Sequence, residues 1–292
     1  MFDIKNFTGR FCVINNRIAD DEALKAVSLA SVSICYEVIR VVDGVFLFLE
    51  DHLNRLEISV NKSNNLYHID YEYIKESLLK LQINNKLIAG NIRLLFSFSP
   101  AEKSPPLIIA YQIFHQYPDE KETRVGIKTS VIRMERESPN IKLINATQQD
   151  KCREAIISRK VYEVLLVDQH GFVTEGSKSN LFLIREGSVF TPPADRVLRG
   201  ITREKVIAIC HELKIPLSEE NIPATRLPSF DAAFITGTSP KVLPIATVDA
   251  AAYDAKHPLT GLIKAHYDTL IENYITMVKQ MGYRMQQGKE QR

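Results

Sequence analysis

The sequence lacks the cysteine pattern that marks a zinc site or a redox motif. Its four cysteines lie far apart in the chain and form no close pair: Cys12, Cys35, Cys152 and Cys210. We therefore expect four free thiols in a reducing compartment and no metal centre. Internal repeats and low-complexity tracts are also missing, which excludes repeat proteins and long disordered segments.

Long apolar runs and an excess of charge of one sign are absent as well. No run reaches the roughly 18 apolar residues that a membrane span requires. The first ten residues contain acidic Asp3 and lack the apolar core of a signal peptide. Lysine and arginine number 37 against 35 aspartate and glutamate, so no net field draws the chain to nucleic acid or an anionic membrane. We expect a cytoplasmic protein without nucleic-acid or membrane partners.

The length favours two lobes. The chain has 292 residues, of which 45% are apolar and 25% charged, as in an ordinary globular protein that buries a sizeable core. A polar stretch with Pro118 follows a buried-looking strand, so we place the link between lobes near residues 117–123. The prediction is a smaller N-terminal α+β lobe, 1–120, and a larger C-terminal α+β lobe, 121–292, with a long C-terminal helix.

Short polar turns between apolar runs predict antiparallel hairpins in both lobes. Asn15-Asn16 and Asp43-Gly44 tolerate the positive φ of tight turns, and Glu186-Gly187 repeats the pattern in the second lobe.

Apolar residues at three-to-four spacing predict four helices. Asp51 is the expected N-cap of a helix whose face carries Leu53, Leu56 and Val60. The other helices are expected at about 71–81, 201–213 and 259–281.

Four blocks of sequence point beyond fold class. They are LEDHLNRLEIS (49–59), NIKLIN (140–145), VTEGSKSNLFLIREGSVFTPP (173–193) with VLRGITRE (197–204), and FITGTSPKVLPI (234–245). From about residue 11 to 250 the chain resembles the class IV, or fold-type IV, pyridoxal-phosphate enzymes: branched-chain aminotransferases, D-amino acid aminotransferase and aminodeoxychorismate lyase. The resemblance implies a two-lobed α+β fold with pyridoxal 5′-phosphate in the cleft between the lobes, and a homodimer.

Lys142, followed by Asn145 in K-x-x-N, resembles the family's Schiff-base lysine. A primary amine is needed there to condense with the cofactor aldehyde and then to move a proton. The alternative is a solvated surface lysine, and Lys128 and Lys151 fit the pattern less well. Glu175, in TEGSKSN, resembles the acid that keeps the cofactor's pyridine nitrogen protonated. Its alternative is a solvated turn residue.

The cofactor phosphate needs a cation and backbone donors. The segment from Gly200 through Ile201 and Thr202 opens a helix whose N–H groups suit an anion. Arg55 resembles the family's phosphate arginine, and its alternative is an exposed pair with Glu57 or Glu50. Three more positions resemble cofactor contacts but could equally be turn or core residues: Thr238, Ser239 and Leu198.

Tyr36 and Arg93 are candidates for the substrate side, together with Ser239. The resemblance places the Tyr36 ring in the cleft as a catalytic aid, and Arg93 on a strand that lines it. A core tyrosine and a sheet-edge ion pair are the alternatives.

The sequence departs from its relatives in two places. LKAVSLASVSICYE lacks the glycine-rich loop that most relatives carry before the strand of Tyr36, and Phe96 stands where the D-amino acid enzyme has an arginine. The lyase's serine-arginine-glycine run is missing too. The last two absences favour ping-pong transamination of an L-amino acid, branched-chain or otherwise apolar, with a 2-keto acid, whereas the missing loop bears on substrate access. The alternatives are the lyase, which eliminates pyruvate, a D-amino acid aminotransferase, and a homologue that has lost catalysis.

Overall fold

The chain divides into two compact units. A computed structural model describes residues 6–27, 33–63, 67–98, 105–114, 117–136 and 138–290, with side chains up to residue 281. The first unit comprises 1–116, 141–144 and 270–292, and the second comprises 117–140 and 145–269. This division differs from the expected 1–120 and 121–292, because 141–144 and the end of the last helix belong to the first unit.

A six-stranded antiparallel sheet forms the centre of the first unit. Its strands are β1 (Phe7–Ile14), β2 (Arg17–Ala19), β3 (Ser33–Val42), β4 (Val45–Phe46), β5 (Gly90–Phe98) and β6 (Leu107–Ile113). They lie in the order β2-β1-β6-β5-β3-β4. Asn15, Asn16, Asp43 and Gly44 all have positive φ at the two tight turns, which confirms both predicted hairpins.

Three helices belong wholly to the first unit: α1 (Asp21–Ala26), α2 (Leu49–Lys62) and α3 (Tyr71–Asn85). The prediction that Asp51 caps α2 is wrong. Phe48, in the left-handed conformation, is the N-cap because the chain turns directly from β4 into the helix, and Asp51 lies in the first turn. The predicted apolar face of α2 is confirmed, since its three residues are fully buried: Leu53, Leu56 and Val60.

The sheet of the second unit has ten strands. They are β7 (Ile127–Arg133), β8 (Glu163–Val167), β9 (Phe172–Gly176), β10 (Asn180–Arg185), β11 (Ser188–Thr191), β12 (Leu217–Glu219), β13 (Ile222–Pro223), β14 (Ala232–Gly237), β15 (Lys241–Val248) and β16 (Ala251–Ala252). Their order is β12-β11-β10-β14-β15-β7-β8-β9-β13, and β16 pairs with β15. Asn180 of β10 also pairs with Glu175 of β9, which closes six of these strands into a ring.

Helices of the second unit lie at α4 (Glu120–Val125), α5 (Ala146–Arg159) and α6 (Ile201–Glu212), with a 3₁₀ turn at Ala224–Ser229. The last helix, α7 (Pro258–Glu290), begins in the second unit and ends in the first. The four predicted helices are therefore present, and three of them, α2, α3 and α7, extend further than expected. Within the described residues, no helix is both long and apolar enough to cross a bilayer.

Candidate active site

Residues 141–144, which carry Lys142, extend the sheet of the first unit at β3. The Tyr36 N–H donates to Lys142 O (3.0 Å), and the Ile144 N–H donates to Ile34 O (3.0 Å). The Lys142 N–H donates to Ser59 Oγ (3.3 Å), and Ser59 in turn donates to Arg55 O (2.8 Å). The backbone C=O of Lys142 thus bonds to β3, and its backbone N–H bonds to a serine of α2, so the lysine is fixed on both sides.

Cations surround the Tyr36 ring. Lys142 Nζ lies 4.9 Å from the ring centroid, and the Arg93 guanidinium carbon lies 5.9 Å from it. Arg93 Nε is buried and makes no hydrogen bond within the part of the chain that the structure describes. The arrangement favours binding of an anionic group beside Tyr36.

Glu37 is a buried acid that the sequence reasoning missed. It is fully buried, and its carboxylate accepts from Arg55 Nε (2.8 Å) and Nη2 (2.5 Å) and pairs with His52 Nδ1 (2.7 Å). Arg55 is therefore directed inward from α2 to β3, and the alternative interpretation, an exposed pair with Glu57 or Glu50, is wrong. The helix spacing of His52 and Arg55 brings both side chains to one carboxylate.

Charge holds this cluster in defined protonation states. Burial alone would raise the pKa of Glu37, but the Arg55 guanidinium and His52 outweigh it and lower that pKa to about 2. Burial lowers the pKa of His52, and Glu37 only partly offsets the effect. The cluster is therefore a carboxylate, a guanidinium and a neutral imidazole near neutral pH.

A signal for Glu37 was present in the alternation of β3. Cys35, Glu37 and Ile39 occupy the same side of the strand, and Cys35 and Ile39 are fully buried. An acid in an apolar row needs a buried cation. The strand pattern could therefore have paired Glu37 with Arg55 in advance.

In the second unit, Glu175 is held by three neighbours. Its side chain is almost fully buried, with Arg136 Nε 3.0 Å from Oε1. Oε2 accepts from the Leu198 N–H (3.2 Å) and from Asn180 Nδ2 (3.4 Å). A cavity of about 240 Å³ lies beside Glu175 and Arg136. Glu175 is not the solvated turn residue of the alternative interpretation.

The turn after Glu175 folds over a second buried acid, Glu163. This carboxylate accepts from the Lys178 N–H (2.5 Å), Ser177 Oγ (3.2 Å) and Ser179 Oγ (3.0 Å). A Cβ on Gly176 would lie 2.6 Å from Glu163 Oε1 and collide with Ser179 Oγ. Glycine is therefore required at this position, which explains the second residue of the E-G-x-x-x-N block.

Asn180, the last residue of that block, ties Glu175 to the segment before α6. Its Nδ2 donates to Leu198 O (2.8 Å). A Cβ on Gly200 would collide with the amide oxygen of Asn180. The Leu198-x-Gly200 spacing is thus set by close approach to Asn180, and it brings the start of α6 next to Glu175.

Gly200 is the N-cap of α6 and offers no side chain to cap it. The first helical hydrogen bond runs from the Glu204 N–H to Gly200 O (2.9 Å), so the N–H groups of residues 201–203 have no partner inside the helix. Thr202 Oγ1 lies 3.2 Å from the Tyr267 hydroxyl. Arg203, fully buried, donates to Pro192 O (3.0 Å) and Glu219 (2.6 Å), which fixes this first turn.

Thr238 and Ser239 form the turn between β14 and β15. Ser239 is buried and Thr238 is half-buried. The strand before this turn, β14, packs against α6. Both hydroxyls therefore lie at the end of a strand whose neighbour is the helix with the uncapped N-terminus.

The rival residues have other roles or lie elsewhere. Lys128 in β7 and Lys151 in α5 are exposed. Asp168, another buried acid of this unit, accepts from the His170 and Phe172 N–H groups (2.9 Å each) and pairs with Arg196 at 3.3 Å. Of the segment without the glycine-rich loop, residues 28–32 lie outside the described residues.

The groups present fit the chemistry of pyridoxal phosphate. The first unit contains Lys142, an amine fixed at its backbone, and Arg55, a paired arginine. The second unit contains a buried carboxylate, Glu175, and a helix N-terminus whose first N–H groups have no partner inside the helix. A Schiff-base lysine, a cation, a pyridine partner and phosphate donors are the set that this cofactor requires.

Comparison with known proteins agrees with these observations. The family model for class IV amino-transferases matches residues 34–248. D-alanine aminotransferase of Bacillus licheniformis is 28% identical over 254 residues, covering 82% of this chain and 87% of that protein. The branched-chain-amino-acid aminotransferase of Pseudomonas aeruginosa is 28% identical over 253 residues, covering 80% of this chain and 82% of that protein.

The fold agrees too. The crystal structure of Escherichia coli branched-chain amino acid aminotransferase superposes with a TM-score of 0.81 at 22% identity, covering 90% of this chain and 95% of that one. The chain belongs to the class IV aminotransferases, a family of enzymes that depend on pyridoxal 5′-phosphate. The predicted family, fold class and cofactor are confirmed.

Proposed function

We propose that this enzyme transfers the amino group of an L-amino acid with a branched-chain or other apolar side chain to a 2-keto acid. The observation that carries the proposal is the position of Lys142, which backbone bonds to Tyr36 and Ser59 hold beside a ring flanked by Arg93. The backbone of Lys142 is thus fixed, and its side-chain amine lies next to a position that favours an anionic substrate group.

Lys142 is the proposed catalytic residue. Bound pyridoxal phosphate supplies an aldehyde that condenses with amines and a ring that withdraws electrons from the carbon bearing the amine. Lys142 Nζ would hold the cofactor at rest and, once free, would accept the proton from the substrate Cα. The Tyr36 ring, 4.9 Å from Nζ, orients the lysine.

Glu175 and the phosphate donors are the proposed binding groups. Glu175 would hold a proton on the pyridine nitrogen, and Arg136 Nε lies 3.0 Å from its Oε1. Arg55, Thr202, Thr238 and Ser239 bind the phosphate together with the N–H groups at Ile201. Leu198 packs on the ring face.

Arg93 is the proposed partner of a substrate carboxylate, since its buried Nε has no hydrogen bond among the described residues. Selection of an L-amino acid is supported by Phe96, which stands where the D-amino acid enzyme has an arginine and is buried against Tyr67. We also propose a homodimer, which sedimentation of the purified enzyme will test.

Transamination of D-amino acids is the second candidate. One specific observation favours it, namely the relative named as a D-alanine aminotransferase, which aligns with 82% of this chain. The experiment that tests the proposal must therefore first compare the L- and D-forms of the amino donor.

The purified enzyme is screened with L- and D-amino acids as donors, with 2-oxoglutarate and pyruvate as acceptors. The proposal expects turnover with apolar L-donors that requires an acceptor. Turnover restricted to D-donors supports the second candidate, and pyruvate released from aminodeoxychorismate without an acceptor supports the lyase. Borohydride reduction and peptide mapping should label Lys142, and a label on Lys128 or Lys151 would refute its role.

A further inference from the structure

A pair of buried hydroxyls lies at the first turn of α6. Thr202 Oγ1 and the Tyr267 hydroxyl are 3.2 Å apart, and both residues are only 3% exposed. Thr202 is the second residue of the helix, so its hydroxyl stands beside the N–H groups that have no partner inside α6. Tyr267 comes from α7, far away in the sequence.

The direction of this hydrogen bond decides what Thr202 can bind. A threonine hydroxyl has one proton, and either oxygen of the pair could be the donor. If Thr202 donates to Tyr267, it presents only lone pairs to an anion. If Tyr267 donates to Thr202, the threonine proton remains available for a phosphate oxygen, which can only accept.

We infer that Tyr267 is a positioning residue that donates to Thr202 and thereby directs the Thr202 proton to the cofactor phosphate. The inference rests on the proposed phosphate site at the start of α6. An anion at this N-terminus selects the direction of the bond, because the opposite direction places lone pairs against negative charge.

The same turn of α7 also contacts the other proposed phosphate segment. Asp268, next to Tyr267, pairs with Lys241 (2.7 Å), the residue directly after the turn at 238–240. Ile263 and Tyr267 lie at four-residue spacing and are both buried, so this face of α7 packs inside the second unit. One helical turn therefore supports both segments that would hold the phosphate.

The test is Tyr267→Phe, which removes the hydroxyl and keeps the ring. Affinities of the apoenzyme are measured for pyridoxal 5′-phosphate, for pyridoxal without phosphate, and for inorganic phosphate as a competitor. We expect about three- to tenfold weaker binding of the two phosphate-bearing probes, the effect of one neutral hydrogen bond that orients the Thr202 hydroxyl, and unchanged binding of pyridoxal.

Tyr253→Phe is the matched control, because the Tyr253 hydroxyl is also buried in this unit and donates to Leu227 O (2.9 Å). It should leave all three affinities unchanged. An equal loss for pyridoxal and its phosphate in Tyr267→Phe would mean a merely structural role and would overturn the inference.

Thr202→Val separates the inference from the proposed function. If Thr202→Val weakens phosphate binding and Tyr267→Phe does not, the inference fails and the phosphate site stands. If Thr202→Val has no effect, the assignment of the phosphate site fails and the inference fails with it. In the Thr202→Val background, Tyr267→Phe should cause no further loss, and an additive loss would also count against the coupling.

Discussion

Buried charge in the first unit is concentrated on Glu37 and its two partners. Arg55 is about one-tenth exposed, with a side-chain exposure of 11%, and Glu37 has none. Replacement of Glu37 by glutamine removes the negative charge and keeps the shape, so a nearly buried guanidinium loses the carboxylate that it contacts through two nitrogens. Loss of one partner of a buried ion pair costs about 3 kcal/mol or more.

We therefore expect Glu37→Gln to lower the free energy of unfolding by about 3 kcal/mol in urea titrations. Glu72→Gln serves as the control, because Glu72 pairs with Lys75 at 3.1 Å on the surface, where its side chain is 84% exposed. Equal stability of the two variants would show that the buried pair contributes nothing. Arg55→Lys keeps the charge and separates loss of charge from loss of the two-nitrogen contact.

Glu175 permits a kinetic prediction. Glu175→Gln should still bind pyridoxal phosphate, since shape and hydrogen bonding survive, but should lose most of its turnover. The loss should fall on removal of the substrate Cα proton, so a deuterium isotope effect at Cα in the half-reaction should increase. Turnover near the wild-type rate would remove Glu175 from the proposed role.

Glu163→Gln is the companion variant. Glu163 is as buried as Glu175, but its oxygens already accept from the turn at 177–179. We expect this variant to lose stability without the isotope effect. If Glu163→Gln showed the isotope effect and Glu175→Gln only lost stability, Glu163 would take the role proposed for Glu175.

Several partners of the site residues could not be predicted because they depend on contacts between distant segments. Arg136 meets Glu175 across 39 positions of sequence, and Tyr267 meets Thr202 across 65. Neither contact leaves a local pattern. Glu37 did leave one, as a charge in an apolar strand row.

At the scale of secondary-structure elements, the position of residues 141–144 depends on a hydrogen bond to α2. Ser59 is fully buried and connects the Lys142 N–H to Arg55 O. Ser59→Ala removes this connection. We expect faster hydrogen exchange of the Lys142 amide and a lower rate of transamination, because the lysine is less well oriented.

Ser77→Ala is the matched variant, since Ser77 is equally buried in α3 and donates to Tyr73 O (3.0 Å). It should leave exchange at Lys142 unchanged. Unchanged exchange in Ser59→Ala as well would show that the two backbone bonds to β3 hold the segment alone.

Elements whose conformation follows from local residue types were predictable. The start of α2, which depends on how the chain leaves β4, was not. The hairpin turns at Asn15-Asn16 and Glu186-Gly187 have positive φ in the structure, as those residue types predict. The start of α2 was misjudged because Phe48 adopts the left-handed conformation, which an aromatic residue rarely does. Because β4 ends at Phe46 and α2 begins at Leu49, only two residues make this change of direction.

For the whole molecule, the Glu37 cluster predicts how stability depends on pH. The folded pKa of Glu37, about 2, is below its ordinary value of 4.5, so its contribution is present above pH 4.5 and is lost as the pH falls towards 2. The pKa of His52 is also lowered, by burial, from 6.5. The unfolded chain therefore takes up a proton first, and stability begins to fall below about pH 6.5.

Urea titrations between about pH 7 and pH 3 measure this dependence. The free energy of unfolding should fall from about pH 6.5 and fall more steeply below about pH 4.5. In Glu37→Gln the steep part should become shallower. If the free energy of unfolding depended equally steeply on pH in the wild type and in Glu37→Gln, the acid sensitivity would belong to groups other than Glu37.

The two units are interleaved along the chain, and this has a consequence for synthesis and proteolysis. Residues 141–144 and the end of α7 complete the first unit, and Ile245 must pair with Ile127 to complete the sheet of the second. Neither unit can be finished until most of the polypeptide has left the ribosome, so folding is expected to be slow and late. For the same reason a protease cut near residue 116 should not release a stable N-terminal fragment. The released piece would lack the very segment that carries Lys142.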